Sequence, residues 1–312
     1  DANESRVNET LLKHKMDLSS VNLYPDNYAI KLRKKIAYYQ EVSFEEVMVG
    51  AGSSELLELV VKTFVNPNDY VLSVEPSFVM YKKYTMLSNG QYIAVPAKNN
   101  YETIVDDIIN KAKEINPKII FLCTPNNPTG FILKQQEVIR LLENVNAIVV
   151  VDEAYMEFAY TNESVIEYIN TYPNLIVNRT FSKAFAIAGA RLGYFIANKE
   201  LIETLFTAKT PYSVNGLTQE LGILSLDNLD YLNNNVNSTK KQKTFLSKEL
   251  ETLGLTCYES AGNFLYVQFD AYDIAKKLKE KRILIRSFNN GYYRITVGTN
   301  VENIQLINGI KE

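Results

Sequence analysis

The chain has 312 residues, 46% hydrophobic and 22% charged, a globular composition with room for one large core or two lobes. A formal net charge of −3 argues against a basic nucleic-acid face, and no apolar run approaches the roughly 18 residues of a membrane helix. Two cysteines, Cys123 and Cys257, are too few for a disulfide framework, and a single histidine, His14, argues against Ser-His-Asp chemistry and a poly-histidine metal site unless partners supply them.

Catalysis, if there is any, falls to Lys, Tyr, Asp, Arg or a bound cofactor. The sequence starts at Asp1 rather than Met, which is compatible with a preceding segment. Sequons such as Asn178-Arg-Thr180 occur, but nothing else suggests secretion, and a cytoplasmic protein is expected.

In chain order, residues 1–27 read as an N-terminal arm. Short apolar strands then alternate with helical stretches: Val47–Val49, Tyr70–Val74, Tyr92–Val95, Lys118–Cys123, Ala147–Val151, Leu175–Val177 and Leu192–Ile196 are strands, while Glu55–Phe64 and Gln135–Glu143 are helical. Such alternation predicts an α/β fold with a mostly parallel sheet sandwiched by helices, spanning 28–210 as a large lobe. Residues 211–312 change texture, with a long amphipathic helix at Val236–Leu253, strands at Phe264–Gln268 and Tyr293–Val297, and a helix near Tyr272–Glu280. They are expected to form a smaller α/β lobe. The asparagine run Asn233–Asn235 is expected on the surface.

Polar residues gather where these strands end, which is where open α/β sheets bind ligands. In Val47-Met-Val-Gly-Ala-Gly-Ser-Ser-Glu55 a strand turns through glycines into a helix whose Ser53 and Ser54 amides suit an anion. A plain serine-capped turn accounts for the same residues. Glu55 takes the place of the third glycine of a dinucleotide fingerprint, so a Rossmann site is not expected. Thr124-Pro-Asn-Asn-Pro-Thr-Gly130 is a stiff turn that offers the Asn127 amide. Asp152 ends an apolar strand, where a carboxylate is costly unless it meets a cation, and Tyr155 follows within reach. A capping Asp beside a packing Tyr is the bland alternative. Lys183, after Thr180 and Ser182 and eight residues before Arg191, lies among apolar residues that favour a reactive amine.

In their order, Gly-x-Gly-Ser-Ser, Asn-Pro-Thr-Gly, Asp-Glu-Ala-Tyr and Ser-Lys…Arg-Leu-Gly resemble the fold-type I pyridoxal-phosphate aminotransferases over most of the large lobe. The resemblance implies pyridoxal 5'-phosphate held covalently by Lys183, which would also shuttle the substrate Cα proton. Asp152 would keep the pyridine nitrogen protonated. Asn127 and Tyr155 would bond the phenolic oxygen, and Phe78 would stack on the ring. Ser53, Ser54, Thr180, Ser182 and Arg191 would take the phosphate. Core packing is the plain alternative for Phe78.

Further segments are most similar to the histidinol-phosphate aminotransferases: Asp1-Ala-Asn-Glu4, Tyr24-Pro-Asp26, Pro211-Tyr-Ser-Val-Asn215, Ser260-Ala-Gly-Asn-Phe264, Ile285-Arg-Ser287 and Tyr293-Arg-Ile-Thr-Val-Gly298. By that likeness Arg294 binds the donor carboxylate and Arg286, about two strands away, the substrate phosphate or distal carboxylate. Two guanidiniums suit a doubly anionic ligand. Asn3 would contact substrate, and Tyr24 would reach the cofactor phosphate of a partner in a homodimer with shared sites. The likeness implies transfer between histidinol phosphate and 2-oxoglutarate in histidine biosynthesis. Ser5, and Ser-Ser-Glu where Ser-Asp-Glu is common, depart from the family. Threonine-phosphate decarboxylase, an aromatic aminotransferase and a binding protein without turnover remain open.

Overall fold

The computed structural model describes residues 3, 9–16 and 18–311. Glu4 and Ser5 lie outside the described residues. The helices are α1 (Glu9–Lys13), α2 (Ile30–Gln40), α3 (Ser53–Phe64), α4 (Met80–Leu87), α5 (Val105–Ile115), α6 (Gln135–Asn144), α7 (Lys199–Ala208), α8 (Gly216–Leu226), α9 (Leu229–Thr252), α10 (Ile274–Glu280) and α11 (Asn300–Lys311). The strands are β1 (Val47–Gly50), β2 (Tyr70–Glu75), β3 (Gln91–Pro96), β4 (Ile119–Cys123), β5 (Ile148–Asp152), β6 (Leu175–Thr180), β7 (Gly193–Ala197), β8 (Thr256–Tyr258), β9 (Phe264–Gln268), β10 (Arg286–Ser287) and β11 (Tyr292–Thr296).

A seven-stranded sheet runs β1-β7-β6-β5-β4-β2-β3, and a four-stranded sheet runs β10-β11-β9-β8. From β3 to β6 the large sheet is parallel: α4, α5 and α6 make the crossovers from β2 to β3, β3 to β4 and β4 to β5, while β5 reaches β6 through two short 3-10 turns. Strand β7 is antiparallel to both β6 and β1. The sheet is therefore mixed at one edge, as apolar runs alone do not encode strand direction.

Side chains alternate across the sheet and divide its core in two. Ile119, Phe121, Cys123, Val150 and Ile176 face α3, α4 and α7, whose Leu56, Val60, Tyr81 and Ile202 pack on them. Ile120, Leu122, Val149, Val151, Leu175 and Val177 face the other way, toward α2, α5 and α6. Val214, Leu226, Leu232 and Val236 join that second layer, so α8 and the start of α9 pack on the large sheet. The four-stranded sheet has its own core, from Leu246 and Leu250 of α9 to Leu306 and Ile310 of α11. Burying one such leucine contributes roughly 1.5–3 kcal/mol, and α9 is fixed to both cores in this way.

Parity along the strands decides what reaches each face at their C-terminal ends. Asp152 and Asn178, paired in register, continue the α3/α4 face. Glu153 and Arg179 continue the other, where they form a buried ion pair at 2.7 Å, with Glu157 as a second carboxylate on Arg179 at 2.8 Å. Burial works against the guanidinium's charge, but the two carboxylates more than offset it and raise its pKa.

No helix among the described residues is long and apolar enough to cross a membrane. The expected surface position of Asn233–Asn235 holds for the first two residues only. Asn235 is buried, because the turn of α9 carries it inward, and its Nδ2 donates to the Ala184 carbonyl at 2.7 Å.

Candidate active site

A cavity of about 250 Å³ opens at the ends of β4, β5 and β6, lined by Ser53, Ser54, Phe78, Asn127, Asp152, Tyr155, Thr180, Ser182, Lys183 and Arg191 among others. Ten residues singled out from sequence thus converge on one space. One end is built for an anion. The N-terminus of the 12-residue α3 offers its first-turn amides, and Arg191 stands against it. Gly52, at φ 84°, lets the two meet: a Cβ there would lie 2.5 Å from the Arg191 guanidinium. Gly193 of β7 passes so close that a Cβ would overlap the Ser53 backbone.

The segment from β6 to β7 presents Lys183. Thr180 Oγ1 donates to the Leu192 carbonyl and accepts from Ser182 N–H at 3.1 Å, so its hydroxyl shapes this turn. Ala186 N–H donates to the Lys183 carbonyl, and Asn235 secures the next carbonyl from beneath. The Lys183 amine lies 5.2 Å from the Tyr155 ring centroid.

The opposite end holds a carboxylate. Asp152 is 4% exposed, and Tyr81 Oη–H donates to Oδ2 at 2.7 Å, Asn178 Nδ2 to Oδ1 at 2.8 Å and Ala154 N–H to Oδ1 at 3.3 Å. Burial pushes its carboxyl above the usual range, while these donors and the Lys183 charge pull it back. Sequence reading missed Tyr81 and Asn178. An aromatic on α4 reads as core, and it is also stacked 4.5 Å from Phe121. Asn178 carried a signal in its place at the end of an apolar strand, in register with Asp152.

Phe78 separates this cavity from a second one, about 520 Å³, lined also by Glu75, Lys82, Tyr92, Asn127, Arg286, Phe288 and Arg294. Asn127 joins the two. Its Nδ2 donates to Tyr155 Oη at 3.3 Å, and its Oδ1 accepts from Arg294 Nη1. Burial pushes the Tyr155 hydroxyl pKa up and the Arg294 guanidinium pKa down. Arg286 and Arg294 are directly opposite on adjacent strands, not two strands apart, so both side chains leave the same face of the small sheet.

Asn3 is buried but is not part of either cavity wall, and neither is Tyr24. Tyr24 is 83% exposed and stacks on Tyr212 at 4.7 Å. The segments around them are locally tied: Asp26 caps α2 through Ile30 N–H, Asn215 caps α8 through Thr218 N–H, and Tyr212 N–H donates to Asn27. Among the described residues no cluster of His, Cys, Asp and Glu could hold a metal.

The family profile described as Aminotransferase class I and II matches residues 2–310. A histidinol-phosphate aminotransferase of Caldanaerobacter subterraneus subsp. tengcongensis is 39% identical, with 100% of this chain and 92% of the relative aligned. The structure of histidinol-phosphate aminotransferase from Sinorhizobium meliloti in complex with pyridoxal-5'-phosphate superposes with a TM-score of 0.88 at 23% identity, covering 94% of this chain and 84% of that one. L-threonine-O-3-phosphate decarboxylase from Porphyromonas gingivalis shares the fold at a TM-score of 0.82 and 24% identity, covering 95% and 94%. By profile match and by full-length identity, the chain belongs to the class I and II aminotransferase family.

Proposed function

We propose that the chain is a pyridoxal-5'-phosphate-dependent histidinol-phosphate aminotransferase, with 2-oxoglutarate and glutamate as the other substrate pair. The observation that carries the cofactor assignment is the polarity of the first cavity. It has an anion seat at one end, a desolvated carboxylate at the other and a lysine amine between them. A buried carboxylate held only by neutral donors and a nearby lysine fits a cationic N–H better than it fits solvent. A group with a phosphate at one end and a basic ring nitrogen at the other matches both. When bound, it supplies a sink for the electrons left at the substrate Cα.

The chain's own residues do the rest. The α3 amides, Ser182 and Arg191 bind the phosphate; Asp152 holds the ring N–H; Phe78 flanks the ring; Asn127 and Tyr155 hold the phenolic oxygen. Lys183 would hold the cofactor covalently and, once the substrate amine has displaced it, its freed Nζ would take up and return the substrate Cα proton. Arg294 accepts the carboxylate of glutamate as a two-pronged donor. Arg286, on the same face, suits the distal carboxylate or the phosphate of the amino donor. The names of relatives similar over the full chain favour histidinol phosphate as that donor.

We propose a cytoplasmic homodimer with shared sites, and an arm at 1–27, a large lobe at 28–210 and a small lobe at 211–312. The exposure of Tyr24 supports a role toward a partner. The shared fold of the threonine-phosphate enzyme keeps decarboxylation as a second reading.

Borohydride reduction of the cofactor-loaded protein, followed by peptide mapping, tests the cofactor assignment. A pyridoxyl adduct on Lys183, absent from Lys183→Ala, is expected; an adduct elsewhere, or none, would sink it. Single-turnover spectra with histidinol phosphate, threonine phosphate, phenylalanine and glutamate then choose the substrate. Carbon dioxide released from threonine phosphate would identify the decarboxylase instead.

A further inference from the structure

Three polar side chains of α9, Asn235, Thr239 and Lys243, are buried at a spacing of four and so share one face of the helix. The last is a lysine at 4% exposure. Its ammonium donates to the carbonyls of Ser260 and Gly262, the latter at 2.9 Å, and lies 4.9 Å from the Tyr160 ring centroid. No carboxylate forms an ion pair with it among the described residues, and burial pushes its pKa down to about 8. An ammonium withdrawn from water, with Lys240 opposing its charge and only Glu259, outside ion-pair reach, favouring it, is costly, and a Met or Leu in the same space would avoid that cost.

The turn it grips joins two walls of the site. Ala261 N–H donates to the Gly130 carbonyl at 2.9 Å, and Gly130 N–H donates to the Asn126 carbonyl at 2.7 Å. Ser260 presses on Gly130 so closely that a Cβ there would overlap it. The turn therefore rests directly on the loop that carries Asn127. Two residues further on, Phe264 sets its ring edge-to-face with Tyr155, at 5.1 Å and 87°, and lies 5.5 Å under the Arg294 guanidinium. Lys243 itself lines neither the cofactor cavity nor the substrate cavity.

We propose that Lys243 is a positioning residue for transamination: by locking the Ser260–Gly262 turn onto the Asn127 loop, it sets Phe264 and Arg294 against Tyr155 in the geometry that receives the substrate carboxylate. The proposal rests on the aminotransferase reading of the same site. Because the turn bears on Asn127, Phe264 and Arg294 and not on Asp152, Lys183 or the phosphate seat, loss of the ammonium should appear chiefly in KM, with the cofactor still loaded.

The test uses cofactor-loaded wild type, Lys243→Met and Lys243→Arg, with glutamate as donor. Methionine fills the space without donors, whereas arginine restores donors for both carbonyls. Losing a charged hydrogen bond corresponds to about tenfold in affinity, so Lys243→Met should raise KM for glutamate and the 2-oxo acid by about tenfold, with kcat within about threefold of wild type. Amide hydrogen exchange at 260–264 should speed up in the same variant, and Lys243→Arg should recover both readouts.

An unchanged KM, a fall in kcat at constant KM, or a defect that arginine does not recover overturns the proposal. If Lys243→Met does not fold, Gly130→Ala pushes the same turn off from the opposite side. Raised KM with kcat retained then supports the proposal, and unchanged KM overturns it. A wild type that transfers no amino group refutes the aminotransferase reading; an active wild type beside an indifferent Lys243→Met refutes this inference alone.

Discussion

Asp152 meets two opposing demands. Its burial, which suits it to a cationic ring, also makes its own ionisation unfavourable in the native protein. A carboxyl whose folded pKa is raised contributes stability that is present in full below the unfolded value of 3.8 and lost as pH rises through the folded value. Asp152→Asn removes that loss while keeping the shape, and the Tyr81 hydroxyl can turn to accept where it donated. The cofactor-free variant should therefore melt above cofactor-free wild type at pH 7, with the gap closing below about pH 4. The same variant should slow Cα proton removal by about 100-fold or more, the scale on which a placed charge acts in an active site. A single-turnover rate equal to wild type would make Asp152 purely structural.

Between elements, the join of β5 to β6 is braced by Arg179, Glu153 and Glu157 on the face away from the cavity. Removing one partner of a buried pair strands the other, at a cost of roughly 3–5 kcal/mol, whereas replacing the set with apolar residues of similar volume is often neutral. Arg179→Met alone should lower the denaturation midpoint sharply. Arg179→Met combined with Glu153→Leu and Glu157→Leu should recover most of that loss in urea titrations, and equal destabilisation of the single and triple variants would refute the bracing role. Much of this architecture was legible in sequence. The strands stand out because buried parallel strands are short apolar runs, and Asp152 stands out because it interrupts the end of one. Direction was not legible, since β7, which alone runs against the other strands of the large sheet, is as apolar as they are. Asn235 was hidden because its neighbours Asn233 and Asn234 are exposed, and composition does not reveal the phase of a helix.

At the scale of the whole molecule, the Tyr24–Tyr212 stack is exposed and belongs to neither cavity lining. The lining of both cavities includes no residue of the arm, and Tyr24 lines neither. If a partner receives it, subunits carrying Tyr24→Phe and Lys183→Ala complement each other. In the mixed dimer one site collects both lesions and the other has neither. Activity of verified heterodimers should rise above that of either parent, given subunit exchange and a strongly impaired Tyr24→Phe. No rise in such heterodimers, or a fully active monomer in sedimentation, would remove the trans role. The arm's contribution was legible only through resemblance, since Tyr-Pro-Asp also reads as the turn that Asp26 forms in capping α2.

The two-faced ends of β5 and β6 carry a constraint on how this chain can change over time. Asp152 and Asn178 face the cavity, and Glu153 and Arg179 face the brace, because each pair is separated by one residue in a structure of period two. Substitutions at these positions can be graded, but a one-residue insertion or deletion within either strand cannot. In β5 it would turn Glu153 toward the cofactor seat and Asp152 toward the face of the brace, and in β6 it would exchange the faces of Asn178 and Arg179. Lineages of this chain should therefore vary in length through the connections between strands and hold the count within β5 and β6 fixed, much as a reading frame is held.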